Sequence, residues 1–368
     1  MDSFYKSLYN GLHKNSCNLV VCKLFSFFFW FEQYLDKLKC IDLRDSEDLI
    51  QTPNLIGVPT LERLYLSGCS NLVEIHPSVG QLSMLIILEL EHCHSLTNLP
   101  RMTTRMVSLT TLSLRGCSKI RKIPEFEGIL KSLSKLNLSE TSIGKLPSSI
   151  ECLTALTWLD LRNCKKLYYL PSNMGSLKSL EKLVLSGCLQ LANLPENIWE
   201  INCLKELDLS RTGLRQTLER NFSVSSWLFS QKLNLSRFYV LEGIRLNIGL
   251  VSSSSLKYLT LSWNKFVTLP ATINQLSKLE TLDLCQCDQL RELPELPSTV
   301  RYLNARGCYS LESSPAILRT SSLFRPRSLL GQHDESKGEV AFTILNRYLQ
   351  VTLYFSLSSW IYFIFLIF

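Results

Sequence analysis

Apolar positions recur along most of this chain with two alternating spacings. In Leu156 to Pro171 (LTWLDLRNCKKLYYLP) leucines occupy the first, fourth, sixth, twelfth and fifteenth places, a cysteine the ninth and a proline the sixteenth. The phrase returns 24 residues later as LEKLVLSGCLQLANLP, Leu180 to Pro195. Its central L-x-L has period 2, which sends alternate side chains to opposite faces as in a short strand. Leu159 and Leu161 are therefore expected to point inward, and Trp158, Asp160 and Arg162 to point to solvent. The ninth residue, Cys164 here and Thr141, Thr212 or Asn264 elsewhere, is expected to turn inward where the chain leaves the strand. A small side chain with some hydrogen-bonding capacity fits there. The spacing then changes to three, as in Ile150, Leu153 and Leu156 or Ile273, Leu276 and Leu279, which predicts a 3-10 or short helical turn. Ten of the 13 prolines lie at or next to the sixteenth place, where they can stop strand pairing before that turn.

The first leucine of the phrase recurs at Leu38, Leu61, Leu85, Leu109, Leu133, Leu156, Leu180 and Leu204, always 23 or 24 residues apart. The pattern weakens over 215–255, where only Leu233-Asn234-Leu235 is recognisable, and returns at Leu256, Leu279 and Val300. This repeat length with this phrase defines a leucine-rich-repeat solenoid. The expected fold is α/β: a horseshoe of about twelve coils with a parallel concave sheet and short helical or 3-10 convex segments. No coil can bury its apolar edge alone, so stability must come from stacking. With strands about 4.8 Å apart, twelve coils give a sheet face on the order of 55–60 Å long, a surface suited to a macromolecule. The domain reading is an N-terminal cap or remnant over 1–34, repeats over 35–315, and over 316–350 a polar linker that ends in a short amphipathic stretch. A hydrophobic tail fills 351–368.

Composition narrows the function. With 46% hydrophobic and 19% charged residues the 368-residue chain should fold around a large core. The net charge of +7 is spread among acidic residues. No polybasic run of the nucleic-acid-binding kind occurs, so a nucleic-acid partner is not expected. Seven of the 13 cysteines (Cys69, Cys93, Cys117, Cys164, Cys188, Cys287 and Cys308) hold the ninth place of the repeat. They read as a structural ladder of free thiols, for which the reducing cytosol is the simpler compartment. The apolar run Leu19 to Phe31 contains Lys23 and lacks the layout of a signal peptide.

Catalytic motifs are missing. The chain contains no phosphate-binding G-x-x-x-x-G-K-S/T loop, no G-x-G-x-x-G and no H-E-x-x-H, so neither an enzyme nor a cofactor is expected. His92-Cys93-His94 lacks the two-pair ligand spacing of a metal site, and a strand exit is expected to scatter the two histidines to different sides. Of the sequons at Asn137, Asn221 and Asn234, two are L-N-L-S phrases that the repeat itself tends to generate. The concave face remains. Its central column runs Asp42, Tyr65, Glu89, Ser113, Asn137, Asp160, Val184, Asp208, Asn234, Thr260, Asp283, Asn304. Beside it stand Arg44, Arg115, Arg162 and Arg306 and the aromatics Trp158, Tyr258, Trp263 and Tyr302. Aromatic and arginine side chains dominate protein-binding hot spots. The candidate partner-binding set is thus Tyr65, Arg115, Trp158, Asp160, Arg162, Tyr258, Trp263, Tyr302 and Arg306. The alternative is that acidic and basic columns simply pair across strands.

Two stretches carry a family resemblance. LDKLKCIDLRDSEDLIQTPNLIGVPTLERLYLSGCSNLVEIHPSVGQL (Leu35 to Leu82) resembles the opening of the leucine-rich domain of plant TIR-type nucleotide-binding disease-resistance proteins. LSWNKFVTLPATINQLSKLETLDLCQCDQLRELPELPSTVRYLNARGCYSLESSP (Leu261 to Pro315) resembles its last coils. The resemblance implies a recognition and autoregulatory role in innate immunity, in the cytoplasm with a nuclear pool. It implies a protein partner: a pathogen effector, a host guardee or a nucleotide-binding immune receptor. GQHDESKGEVAFTILNRYLQ (Gly331 to Gln350) resembles the start of the family's C-terminal β-sandwich. Nothing in the chain corresponds to the TIR or nucleotide-binding domains. The last 18 residues, Val351 to Phe368, carry no charge and sit at the lower limit of a membrane span. Membrane attachment through this tail and a truncated product without independent function are the two rival readings.

Overall fold

Each L-x-L phrase forms a three-residue strand, too short to stand alone and stable only by pairing with the same phrase one coil away. The computed structural model describes residues 18–20, 36–214, 230–238 and 255–311. β1 (Asn18–Val20), β2 (Cys40–Asp42), β3 (Arg63–Tyr65), β4 (Ile87–Glu89) and β6 (Thr111–Ser113) begin one parallel sheet. It continues through β8 (Lys135–Asn137), β9 (Trp158–Asp160), β10 (Lys182–Val184), β11 (Glu206–Asp208) and β12 (Lys232–Asn234), and ends with β13 (Tyr258–Thr260), β14 (Thr281–Asp283) and β15 (Tyr302–Asn304). The sheet has 13 strands, each paired in register with the equivalent residues of its neighbours, as Leu159 is with Leu136 and Leu183. Twelve of them belong to the repeat; β1 adds one more strand at the N-terminal edge, which the repeat pattern did not anticipate. The C-terminal readings over 316–368 and the weak stretch at 215–229 and 239–254 lie outside the described residues.

The fold is thus a leucine-rich-repeat solenoid with a parallel concave sheet. Its core is the stack of inward leucines: Leu156, Leu159, Leu161, Leu167, Leu180, Leu183, Leu185 and Leu191 are all fully buried. The ninth-place side chains join them as a polar thread inside the apolar column. Each ladder thiol donates to a carbonyl of the preceding coil: Cys164 Sγ to Leu138 O and Cys188 Sγ to Leu161 O at 3.1 Å, Cys117 Sγ to Leu90 O at 2.9 Å. Thr141 and Thr212 satisfy the same need inside their own coil, through Leu138 O at 2.8 Å and Leu209 O at 2.7 Å. Asn264 does both, donating to Leu235 O and Leu261 O while accepting from Phe238 N. A buried polar atom is tolerated only when bonded, and here every such atom closes on backbone that the strand exit leaves open.

The exit turn itself has a fixed conformation. The eighth residue of all twelve coils has positive φ: Gly68, Gly116, Gly187 and Gly307, and also Asp45, His92, Glu140, Asn163, Arg211, Arg237, Trp263 and Gln286. Its N–H donates to the carbonyl of the seventh residue one coil on, as Asn163 N does to Ser186 O at 2.7 Å, so the ladder outlasts the strand. The side chain of one coil then folds over the next. A Cβ on Gly187, at φ +76°, would meet Asn163 Oδ1 at 2.2 Å, so glycine there is required twice over.

On the convex side, 3-10 turns occur at Pro77–Gln81, Ser148–Cys152, Ser172–Ser176, Glu196–Glu200 and Ala271–Gln275, where an apolar residue follows the cap by three (Pro147 to Ile150, Pro171 to Met174). Two coils depart from the expected turn. β5 (Met102–Thr103) and β7 (Phe126–Glu127) pair as a second, two-stranded parallel sheet. There the apolar residue follows the proline by two (Pro100 to Met102, Pro124 to Phe126), the strand spacing. Among the described residues the helical elements are all 3-10, with no α-helix.

Candidate functional site

The concave face is built from the third, fifth and seventh residues of each coil, and the three columns have different roles. In the central, fifth column the Asp and Asn side chains turn back on their own backbone. Asp42, Asn137, Asp160, Asp208, Asn234, Asp283 and Asn304 each accept the N–H two residues on, at 2.9–3.2 Å. This Asx turn ends the strand and leads into the positive-φ residue. Asp160 is consequently 4% exposed, not open to solvent as simple alternation implies. Neighbouring strands and the flanking Trp158 and Arg162 columns close over a short side chain at the centre of the sheet. The sequons share this geometry: Asn137 Oδ1 accepts Ser139 N and Oγ, and Asn234 Oδ1 accepts Ser236 N and Oγ. Asn221 lies outside the described residues.

The candidate residues fall into three groups rather than one. Near the N-terminal end, Arg44 forks Asp42 and stacks on Tyr65 with 5.4 Å to the ring centroid. The Arg44 hydrogen bond holds the Asp42 carboxyl below the usual carboxylate range, and burial pushes the Tyr65 phenol up. Four strand steps further, roughly 19 Å at sheet spacing, half-buried Trp158 and exposed Arg162 flank Asp160, whose Oδ2 lies 3.4 Å from Arg162 Nη2. Arg115, two strands before β9, reaches Glu140 at 3.4 Å. The third group holds Tyr258, Tyr302 and Arg306, all exposed. Trp263 is not in the arginine column: it is an eighth-place residue at φ +63°, half exposed on the rim, with the Arg237 guanidinium 4.4 Å over its ring.

Between the second and third groups lies a network that residue-type reasoning missed. Glu206 on β11 takes Lys182 of β10 and Lys232 of β12, each at 2.7 Å, and the two ammonium groups hold its carboxyl below the usual range. Lys232 Nζ also sits 5.5 Å from the Tyr258 centroid. Trp158, Lys182, Glu206, Lys232 and Tyr258 thus form one unbroken row of third-place residues on consecutive strands. Its signal was legible: identical places in successive coils carry Lys, Glu and Lys. Each exposed ion pair is worth only about 0–1 kcal/mol, so the row orders side chains more than it stabilises the fold.

The two histidines of His92-Cys93-His94 are not scattered. The turn at His92, φ +58°, brings both exposed rings to one side of inward-facing Cys93, centroids 5.8 Å apart, over Gly116 of the next coil. Cys93 Sγ is taken by Leu66 O at 3.1 Å. Among the described residues no group of three His, Cys, Asp or Glu side chains is placed to hold a metal ion, and no helix is long and apolar enough to cross a membrane. Burial makes part of the ladder inert, raising Cys164 to about 11 and Cys69 to about 12 and pushing Cys188 higher still. N-Ethylmaleimide at neutral pH is therefore expected to modify exposed Cys203 while leaving Cys164 and Cys188 unlabelled until denaturant is added. Peptide mass spectrometry reads this directly, and equal labelling of Cys203 and Cys188 in the folded chain would contradict the buried ladder.

A solenoid of this geometry, with its leucine stack and in-register concave strands, is a leucine-rich-repeat protein, and residues 63–234 match the leucine-rich repeat region family. Within that class the relatives are plant disease-resistance proteins. The chain is similar to TMV resistance protein N of Nicotiana glutinosa (38% identical over 301 residues, 75% of this chain and 26% of that protein). It is also similar to Disease resistance-like protein DSC1 (35%, 77% and 24%) and Disease resistance protein RPS4B (31%, 75% and 18%), both of Arabidopsis thaliana. The chain spans about a quarter or less of the length of these relatives. Among solved structures, a leucine-rich-repeat protein of Leptospira interrogans aligns over 83% of this chain and 87% of its own, at 23% identity and a TM-score of 0.47, a likeness too distant to bear on function.

Proposed function

We propose that the chain is a non-catalytic recognition and autoregulatory module of plant innate immunity, acting in the cytoplasm with a nuclear pool. The observation that carries this reading is the similarity to disease-resistance proteins over three quarters of the chain. The partner is a protein: a pathogen effector, a host guardee, or a nucleotide-binding immune receptor whose switch the repeats restrain. Tyr65, Arg115, Trp158, Arg162, Tyr258, Trp263, Tyr302 and Arg306 supply the contacts. Asp160 serves from beneath, fixing the Arg162 backbone and drawing its guanidinium toward its own carboxylate. The scaffold columns repeat from coil to coil, whereas the third and seventh places change, and only changing positions can specify one partner.

Co-expression with a nucleotide-binding disease-resistance protein tests the reading, scoring association and the suppression or triggering of cell death. Trp158→Ala is expected to weaken association by roughly 2 kcal/mol, about thirtyfold, with Trp263→Ala smaller because its ring is already covered by Arg237. Association that is absent in the parent chain, or unchanged in both variants, would remove the concave face from consideration.

A further inference from the structure

The flank beyond the exit turn, away from the concave face, carries a different kind of site. From the ninth place onward the fourth coil reads Cys117-Ser118-Lys119-Ile120-Arg121-Lys122 and the sixth reads Cys164-Lys165-Lys166-Leu167-Tyr168-Tyr169. The coil between them reads Thr141-Ser142-Ile143-Gly144-Lys145, one residue shorter before its next inward residue. Where its neighbours project long side chains, it has Ser142 and Gly144. The shortfall leaves a hollow of about 460 Å³, lined among others by Lys119, Arg121, Lys122 and Lys166 with the small polar Ser118 and Ser142. That volume lies within the range of small-ligand sites, roughly 300–1,000 Å³.

Its charge is of one sign. Several lysines on or beside the concave face meet carboxylates: Lys182 and Lys232 on Glu206, Lys205 on Glu181, Lys39 on Glu62. No acidic residue lines the hollow. Among the described residues none of its four cations makes an ion pair. Four like charges around one concavity repel one another, and an anion seated among them relieves that repulsion while gaining charge-assisted hydrogen bonds. The guanidinium of Arg121 provides a planar fork suited to phosphate, the three ammonium groups provide point charges, and the serines provide hydroxyl donors.

We propose that this hollow binds a small molecule or headgroup carrying two or more phosphates. Calorimetric titration of the whole chain with sodium triphosphate at low ionic strength is expected to give saturable one-to-one binding that weakens as salt is raised. Lys122→Glu with Lys166→Glu is expected to weaken it roughly tenfold or more, and Lys278→Glu, exposed on a distant coil, to leave it unchanged. Lys122→Gln with Lys166→Gln provides the same test if charge reversal disturbs folding, which circular dichroism reads. Flotation with vesicles containing or lacking a bisphosphorylated phosphoinositide separates the sources. Vesicle binding lost in the variants assigns the phosphates to a lipid headgroup, and triphosphate binding alone assigns them to a soluble ligand. No saturable binding in either arm, or equal binding by a folded double variant, overturns the proposal.

Discussion

Leu185→Asp is expected to destroy the central stack, whereas Leu189→Asp, four residues on, should shift the melting temperature by no more than about 2 °C. The two leucines belong to one coil and differ only in place: Leu185 is fully buried and Leu189 is 56% exposed. Removing the first from the core forfeits roughly 1.5–3 kcal/mol of burial. An unpaired carboxylate among leucines adds a desolvation penalty that brings the total to about 5 kcal/mol or more. In a solenoid each coil is held by its two neighbours, so the damage spreads from residues 180–203 into both. Denaturant unfolding followed by circular dichroism should show a lowered, broadened transition for Leu185→Asp, and limited proteolysis should cut first within the affected coils. Wild-type melting of Leu185→Asp would mean that the repeat register is wrong.

The repeat was legible because most coils state it in full: L-x-L fixes the strand, the ninth place fixes the exit, and the proline fixes the next segment. What escaped was local geometry that residue type does not encode. Eight of the twelve exit turns place a non-glycine residue at positive φ, among them Arg211, Arg237 and Trp263, which have no preference for that conformation. Only the stacked N–H to carbonyl ladder imposes it. Met102 and Phe126 signalled strands by following their prolines by two, but a period of three on either side concealed the change.

The candidate face was legible in composition and not in arrangement. Period 2 assigns Asp160 to the concave side correctly, yet cannot say that a short side chain at the centre of a sheet will be covered and bonded to its own backbone. By sequence Trp263 groups with Trp158, since both are aromatics beside a strand that alternation turns outward. The structure separates them by the difference between a third place, in the sheet, and an eighth, on the rim. The hollow beside Lys122 depends on a coil one residue short, a comparison between repeats that no single repeat displays.

Raising the pH from about 9 to about 12 is expected to unfold the chain progressively, through the same ladder that protects it near neutrality. A thiol in the unfolded chain ionises near its ordinary value of 9.0; burial raises Cys164 to about 11, Cys69 to about 12, and Cys188 higher still. Between the two values the unfolded chain has released protons that the folded chain retains. Stability is therefore intact below pH 9 and declines above it, by about 1.4 kcal/mol per pH unit for each such thiol. The chain supplies its own control at Thr141 and Thr212, where a hydroxyl that does not ionise in this range fills the same place and bonds Leu138 O and Leu209 O. The triple variant Cys69→Thr, Cys164→Thr, Cys188→Thr should lose roughly half of the alkaline slope of the urea midpoint, measured under reductant to prevent disulfide formation. What remains belongs to Cys93 and Cys287, whose thiols are also raised, by a hydrogen bond with the neighbouring ladder cysteine and by burial, and to groups such as Lys232, whose ammonium is held charged by Glu206. If the triple variant keeps the full slope, the thiols are not what fails, and the ladder contributes packing alone.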